Sequence, residues 1–175
     1  MLYSIQEFYP TNVLALKIVE SKLISELMKD SRRSDRELAR SIGVSQPTAT
    51  RLRARLEKEK VVREYTAIPD FNKLGFEILA ITFLAMVKEP DSKEFGTALG
   101  TFSNILMFER GLGLKSSHMV VSLHENYSSY AEFKGKLEEN EFWKVTDSSS
   151  FLMNLGKDSG FLSFSNLAKE LVKRS

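Results

Sequence analysis

The spacing of apolar positions along the chain changes near residue 61. Before it, apolar residues recur every three or four positions. In "VLALKIVESKLISELMK", residues 13–29, Leu16, Val19, Leu23, Ile24, Leu27 and Met28 make one stripe of an amphipathic helix. "DSRRS" breaks the pattern. Ser34 or Asp35 then opens a second short helix, "DRELARSIG", and Ser34 with Glu37 three residues on forms a capping box. Gly43 ends it in a tight turn that favours positive φ. Ser45 caps a third helix with Pro47 in its first turn, where a missing N–H costs little. Two short helices joined by such a turn predict a helix-turn-helix, with Ala39 allowing close approach and Ile42, Val44, Ala49 and Leu52 filling the space between.

After residue 61 the period shortens to that of strands. Val61 to Ile68 predict a strand, stopped by Pro69-Asp70 and Gly75, which would make the helix-turn-helix a winged one. Residues 76–88 are strongly β-prone. Asp91 with Glu94 predicts a helix carrying Phe95, Ala98, Leu99 and Phe102 on one face. "NILMFER" and "HMVVSLH" predict two further strands. Ser129 with Glu132 caps a helix presenting Tyr130, Phe133 and Leu137, and "SSSFLMNLG" predicts a last strand. The order βαββαβ is that of a ferredoxin-like sheet. "FSNLAKELVKR" predicts a final amphipathic helix with no readable docking site.

The first of these strands is apolar on both sides: Ile78, Ala80, Leu84 and Met86 on one, Leu79, Ile81, Phe83 and Val87 on the other. Two helices cover one face of a four-stranded sheet. The second face then needs a cover, and an identical subunit is the simplest. We therefore expect a homodimer or higher homo-oligomer.

Composition narrows the chemistry. The 175 residues suffice for one domain or two small ones, and their 42% hydrophobic and 27% charged content is globular. There is no cysteine, which excludes disulfides and thiolate metal sites and fits a cytoplasmic protein. The longest nearly apolar run, residues 76–87, contains Glu77 and is too short to span a bilayer, and "MLYSIQEFYP" lacks a basic n-region. Net charge is only +2, yet residues 30–65 hold ten Lys/Arg against six Asp/Glu, whereas residues 66–175 hold twelve against fourteen. A basic module for a polyanion, joined to a neutral one, fits that asymmetry.

A helical wheel at about 100° per residue puts Ala49, Leu52 and Leu56 of the third helix behind and Pro47, Thr50, Arg51, Ala54 and Lys58 in front. Ser45, Gln46, Pro47, Thr50, Arg51 and Ala54 would face a DNA major groove, with Arg51 suited to guanine edges and Gln46 to adenine. Arg55 and Lys58 suit phosphates, and Arg63 suits the backbone at the wing's rim. Arg53 falls near the buried edge, beside Glu57 four residues on or a flanking phosphate. Ser34 and Thr48 complete the expected contact set for double-stranded DNA.

These residues resemble the Lrp/AsnC (feast/famine) family of bacterial and archaeal regulators. The resemblance runs through "LISELMKDSRRSDRELARSIGVSQPTATRLRARLEKEKVVREYTAIPDFNKLGF", with Lys60 where the family usually has glycine. It implies a transcription regulator with a second domain, the RAM effector and assembly domain. The expected fold is α+β: a winged helix-turn-helix over 1–66, a linker over 67–76, a RAM-like βαββαβ domain over 77–157 and a tail helix over 158–175. The resemblance also implies an amino-acid-like effector near the loop "ERGLGLKSSHM", at Gly111 and Gly113. The aspartate that usually follows is replaced by Leu114 or Ser116, and an ordinary hairpin turn explains the two glycines as well.

Against an enzyme, the chain has no glycine-rich phosphate loop, nucleophile elbow or metal-spaced cluster. His118 and His124, the two histidines, would sit about 20 Å apart on one strand face and read as surface or interface residues. Some relatives of the family are tetrapyrrole decarboxylases on the same pair of domains, which is the alternative reading. RNA binding would want exposed aromatics on a sheet face, where the first strand offers mostly aliphatics. No cofactor or metal is expected.

Overall fold

The computed structural model describes residues 17–88, 100–156 and 164–173. The chain forms two compact units, residues 1–68 together with 162–175, and residues 69–161.

In the helical unit, α1 (Ile18–Lys29), α2 (Asp35–Ile42) and α3 (Gln46–Lys58) enclose Leu23, Leu27, Leu38, Ile42 and Leu56, with Val19, Ile24, Val44, Leu52, Val61 and Val62 around them. The start of the helix expected from residue 13 lies outside the described residues. The expected capping chemistry forms: Ser34 and Glu37 bond reciprocally, Gly43 takes φ +75°, and the Ser45 hydroxyl accepts from the Thr48 N–H. The strand expected over Val61–Ile68 does not form. After α3 the chain turns at Lys60 (φ +56°), a conformation that a side chain disfavours, and runs on with no strand through Asp70. A wing strand needs a ladder partner, and no described strand pairs with this segment.

The final helix, α5 (Ser165–Lys173), belongs to this unit too. It packs on α1, where Ser21 and Ser25 are small enough for close approach; the Ser25 Oγ donates to the Ala168 carbonyl at 2.8 Å and Ala168 is fully buried.

The sheet unit is β1 (Ile78–Lys88), β2 (Ile105–Gly113), β3 (Ser116–His124), α4 (Tyr127–Glu138) and β4 (Lys144–Asn154). Its sheet is antiparallel throughout, in the order β2-β3-β1-β4 that a ferredoxin-like chain path requires. The helix expected from Asp91 lies outside the described residues as far as Leu99. Two details differ from expectation. Asn126, not Ser129, caps α4: its side chain accepts from the Ser129 N–H at 3.0 Å, while Glu132 pairs with Lys136 instead. And β4 starts four residues early, because a bulge at Ala85/Met86 carries the ladder on to Lys144 opposite Lys88.

One sheet face is covered. Ala80, Leu84 and Val120 pack with Tyr130, Phe133, Leu137 and Trp143, whose indole N–H donates to the Leu137 carbonyl at 2.7 Å. His118 and His124 lie here, 6% and 2% exposed, and are not surface residues as expected. They alternate with Val120 and Ser122 along β3 and so share the face that α4 covers. The His124 ring has Asn104 Nδ2 3.1 Å from Nδ1 and Ser122 Oγ 2.8 Å from Nε2, with Tyr130 and Phe133 around it. A neutral imidazole satisfies both bonds, and burial pushes its pKa down to about 4. The other face carries Leu79, Ile81 and Phe83 of β1 beside Met119 and Val121 of β3 and Phe151 and Met153 of β4. Phe151 is 62% exposed.

Candidate nucleic-acid interface

The third helix of the helical unit is built to present one side. Ala49 and Leu56 are 0% and 1% exposed and anchor it from behind, while Ala39 of α2, 4% exposed, lets the two helices approach closely. Between the two helices Gly43 supplies the left-handed turn, and Ser45 starts α3 by occupying an otherwise orphan N–H.

Ser45, Gln46, Pro47, Thr50, Arg51, Ala54 and Lys58 are all exposed, which makes a contiguous outward face along α3. Thr48 is half-buried; its hydroxyl lies 2.8 Å from that of Ser45, so both serve the cap first. Ser34 is exposed at the start of α2, and its hydroxyl is engaged by Glu37. Arg63 is exposed on the extended segment after α3 rather than on a wing strand.

Arg55 is not free for a phosphate, as the wheel had suggested. Its guanidinium pairs with Glu20 of α1, a carboxylate only 6% exposed. Arg55 sits beside Leu56, close enough to the buried edge for a buried acid to draw it inward. Glu20 also accepts from the Lys17 N–H at 2.8 Å, so it caps α1 and holds α3 at once. Arg53 pairs with Glu57 at 3.2 Å, one of the two partners expected, and with Asp35 of α2 at the same distance. Three arginines within five residues thus have different surroundings, and of the three only Arg51 stands clear of these three acids.

Sequence reasoning missed three features of this surface. Arg36 and Arg40 are exposed on α2 and add positive charge; their spacing of four residues on the polar side of that helix was the available signal. Asp35, considered only as a cap, accepts from the Thr50 hydroxyl at 2.7 Å. Tyr65, read as part of a strand, lays its ring 4.8 Å from the Arg53 guanidinium carbon. Partial burial, and then the Glu57 carboxylate to which it donates, hold the Tyr65 phenol above its ordinary range.

The segment considered for an effector closes as the ordinary hairpin that its two glycines also allowed. Gly111 and Gly113 end β2, and Leu114 and Lys115, both at φ between +50° and +60°, turn directly into β3. That is a two-residue hairpin of the type whose twist matches the strands. Both glycines line a cavity of about 260 Å³ with Phe83, Glu109, Arg110 and His118. Among the described residues no group of three or more acidic or histidine side chains could hold a metal.

Residues 20–57 match the AsnC-type helix-turn-helix domain. The chain is 37% identical over 92 residues to the HTH-type transcriptional regulator LrpC of Bacillus subtilis, a match covering 53% of this chain and 63% of LrpC. It is 28% identical over 119 residues to the leucine-responsive regulatory protein of Rhizobium meliloti, covering 67% and 76% of the two chains. The solved structure of LrpC superposes with a TM-score of 0.66 at 28% identity, over 79% of this chain and 94% of that one. A transcriptional regulator of Neisseria meningitidis solved with L-methionine has the same fold, with a TM-score of 0.68 at 18% identity over 87% and 99%. The helix-turn-helix of residues 20–57 is thus of the AsnC type, and the chain is similar to transcriptional regulators named Lrp and LrpC and shares the α+β architecture of LrpC.

Proposed function

We propose that the protein is a sequence-specific DNA-binding transcriptional regulator that acts as a dimer or higher oligomer. One observation carries the reading: α3 exposes Gln46, Thr50, Arg51 and Lys58 on one side while Ala49 and Leu56 are wholly buried on the other. An Arg and a Gln in that position can make bidentate bonds to base edges, and Lys58 and Arg63 suit phosphates. The relatives are named as regulators, which favours a binder over a catalyst.

We assign the division of labour to the boundaries read from the sequence. Residues 1–66 bind DNA, 67–76 link, and 77–157 assemble the protein and take the effector; the tail, 158–175, supports the first of these through α5. The apolar face of the sheet is the assembly surface, because Phe151, Ile81 and Phe83 gain from burial only when a second subunit covers them. The Neisseria regulator was solved with L-methionine. The amino-acid-like effector we propose for this protein would sit at the cavity lined by Gly111 and Gly113. No described helix is long and apolar enough to cross a membrane, and we assign the protein to the cytoplasm.

The test is a titration of the full-length protein with duplex DNA selected from genomic fragments. Affinity should fall steeply with salt as phosphate contacts release counterions. Arg51→Ala should cost on the order of 1–3 kcal/mol on the selected site and relax its base preference. Unchanged affinity and preference would remove Arg51 from the interface, and no binding at low salt would sink the reading itself.

A further inference from the structure

The segment after α3 forms no strand, yet one of its residues is held at two places. The Tyr65 hydroxyl donates to Glu57 at 2.6 Å and accepts from Arg53 Nε at 2.9 Å, with its ring against the same guanidinium. The far side of that guanidinium, Nη1, donates to Asp35 at 3.2 Å and to the Arg33 carbonyl at 3.4 Å. Arg53 therefore ties together three stretches: the entry to α2, α3 itself, and the chain leaving α3. The other oxygen of Asp35 takes the Thr50 hydroxyl, which stands on the outward face next to Arg51.

The arrangement is poorly suited to stabilising the fold. Tyr65 and Glu57 are 42% and 43% exposed, where hydrogen bonds and ion pairs contribute little, and only the Arg53–Asp35 pair is partly sheltered. It is well suited to removing freedom. A helix that docks into a groove loses affinity for each side chain and each rigid-body motion it must freeze on binding, and a preformed geometry avoids that loss.

We infer that Tyr65 is a positioning residue of the DNA interface: through Arg53 it fixes α3 against Asp35, so that Thr50 and Arg51 meet the duplex in one geometry. The inference rests on the reading of α3 as the DNA-binding helix. Tyr65 and Arg53 touch no phosphate in this account, and that separates it from the alternative in which Arg53 is a backbone contact.

The experiment uses the full chain and the selected duplex, with three variants: Tyr65→Phe, Arg53→Gln and the double variant. Tyr65→Phe keeps the ring over the guanidinium and removes both hydroxyl bonds. It should weaken binding on the order of three- to tenfold, leave the unfolding midpoint within error, and leave the slope of log K against log salt unchanged. Arg53→Gln should fall in the same range with the same slope, and the double variant should lose no more than the worse single one, since the two residues act as a unit. Wild-type affinity in Tyr65→Phe would overturn the inference. So would additive losses, a loss of affinity that tracks a lowered midpoint, or a slope shallower by about 0.9 in Arg53→Gln, which would place that guanidinium on a phosphate. Failure of the wild type to bind any duplex overturns the functional reading, and this inference with it.

Discussion

The helical unit and the sheet unit leave opposite kinds of surface unsatisfied. The helical unit keeps Leu23, Leu27, Leu38 and Leu56 inside and turns Gln46, Arg51 and Lys58 outward, so what α3 offers a partner is hydrogen-bond donors and positive charge. The sheet unit covers one face with α4 and leaves Ile81, Phe83 and Phe151 on the other, so what it offers is apolar area. A polyanion suits the first surface and a second copy of the chain suits the second. The two should also respond differently to solution conditions. Charge-driven association weakens with salt, whereas burial of apolar surface does not. Both properties live in one polypeptide because each unit has its own core.

Separate cores make the largest prediction. Trp143, the sole tryptophan, lies in the sheet unit, so its fluorescence reports that unit alone, while far-ultraviolet circular dichroism reports both. Leu38→Ala removes a fully buried side chain from the helical core and should cost about 2–5 kcal/mol. Its effect should appear in the dichroism transition and leave the fluorescence transition in place. If the two transitions move together, the units fold as one and the comparison fails.

How far the sequence made these units legible differs between them, and the reason is range. In the helical unit, Ser34 with Glu37, Gly43 and Ser45 each act within a few residues, so their capping could be read directly. The Glu20–Arg55 pair joins residues 35 positions apart, and the Ser25–Ala168 bond spans 143, so neither left a local trace. In the sheet unit the order of the described elements, strand, strand, strand, helix, strand, was legible from period alone. The cap of α4 was misassigned because Asn126 and Ser129 both precede a plausible first turn. The β2–β3 hairpin was legible from Gly111 and Gly113, but its exact turn was not, because Leu114 and Lys115 fill positions that usually take Asn-Gly. The missing strand at 61–68 illustrates the limit of pattern: alternation licenses a strand only if a partner edge exists, and here Tyr65 finds Arg53 instead.

The second prediction concerns the open sheet face. Phe151→Glu places a carboxylate where a second subunit would bury it, opposite Ile81 in the β1–β4 ladder. Such a charge should weaken self-association by on the order of 2 kcal/mol or more, and sedimentation should find monomer at concentrations where the wild type is dimeric. DNA binding to a single half-site should survive, since α3 is untouched. A variant that keeps the wild-type mass would move the assembly surface elsewhere.

The smallest effect comes from pH, and it separates the units without altering either surface. Both histidines lie in β3, so imidazole titration reaches only the sheet unit. Burial lowers the His124 pKa to about 4, below the usual value near 6.5 for the unfolded chain. The unfolded state therefore binds more protons between those two values. Stability is unaffected by this group above about pH 6.5 and is lost as the pH falls from there toward 4. The loss should be on the order of 1–2 kcal/mol and should lower the fluorescence midpoint in urea at pH 4.5 relative to pH 7. Part of any acid loss belongs to carboxylates, so the informative quantity is the difference from His124→Gln. That side chain keeps a donor and an acceptor for Asn104 and Ser122 but cannot be protonated, and its midpoint should shift less over the same range. Equal shifts in the two proteins would mean that the ring is protonated without penalty, and that the covered face of the sheet is wetter than its packing against Tyr130 and Phe133 implies.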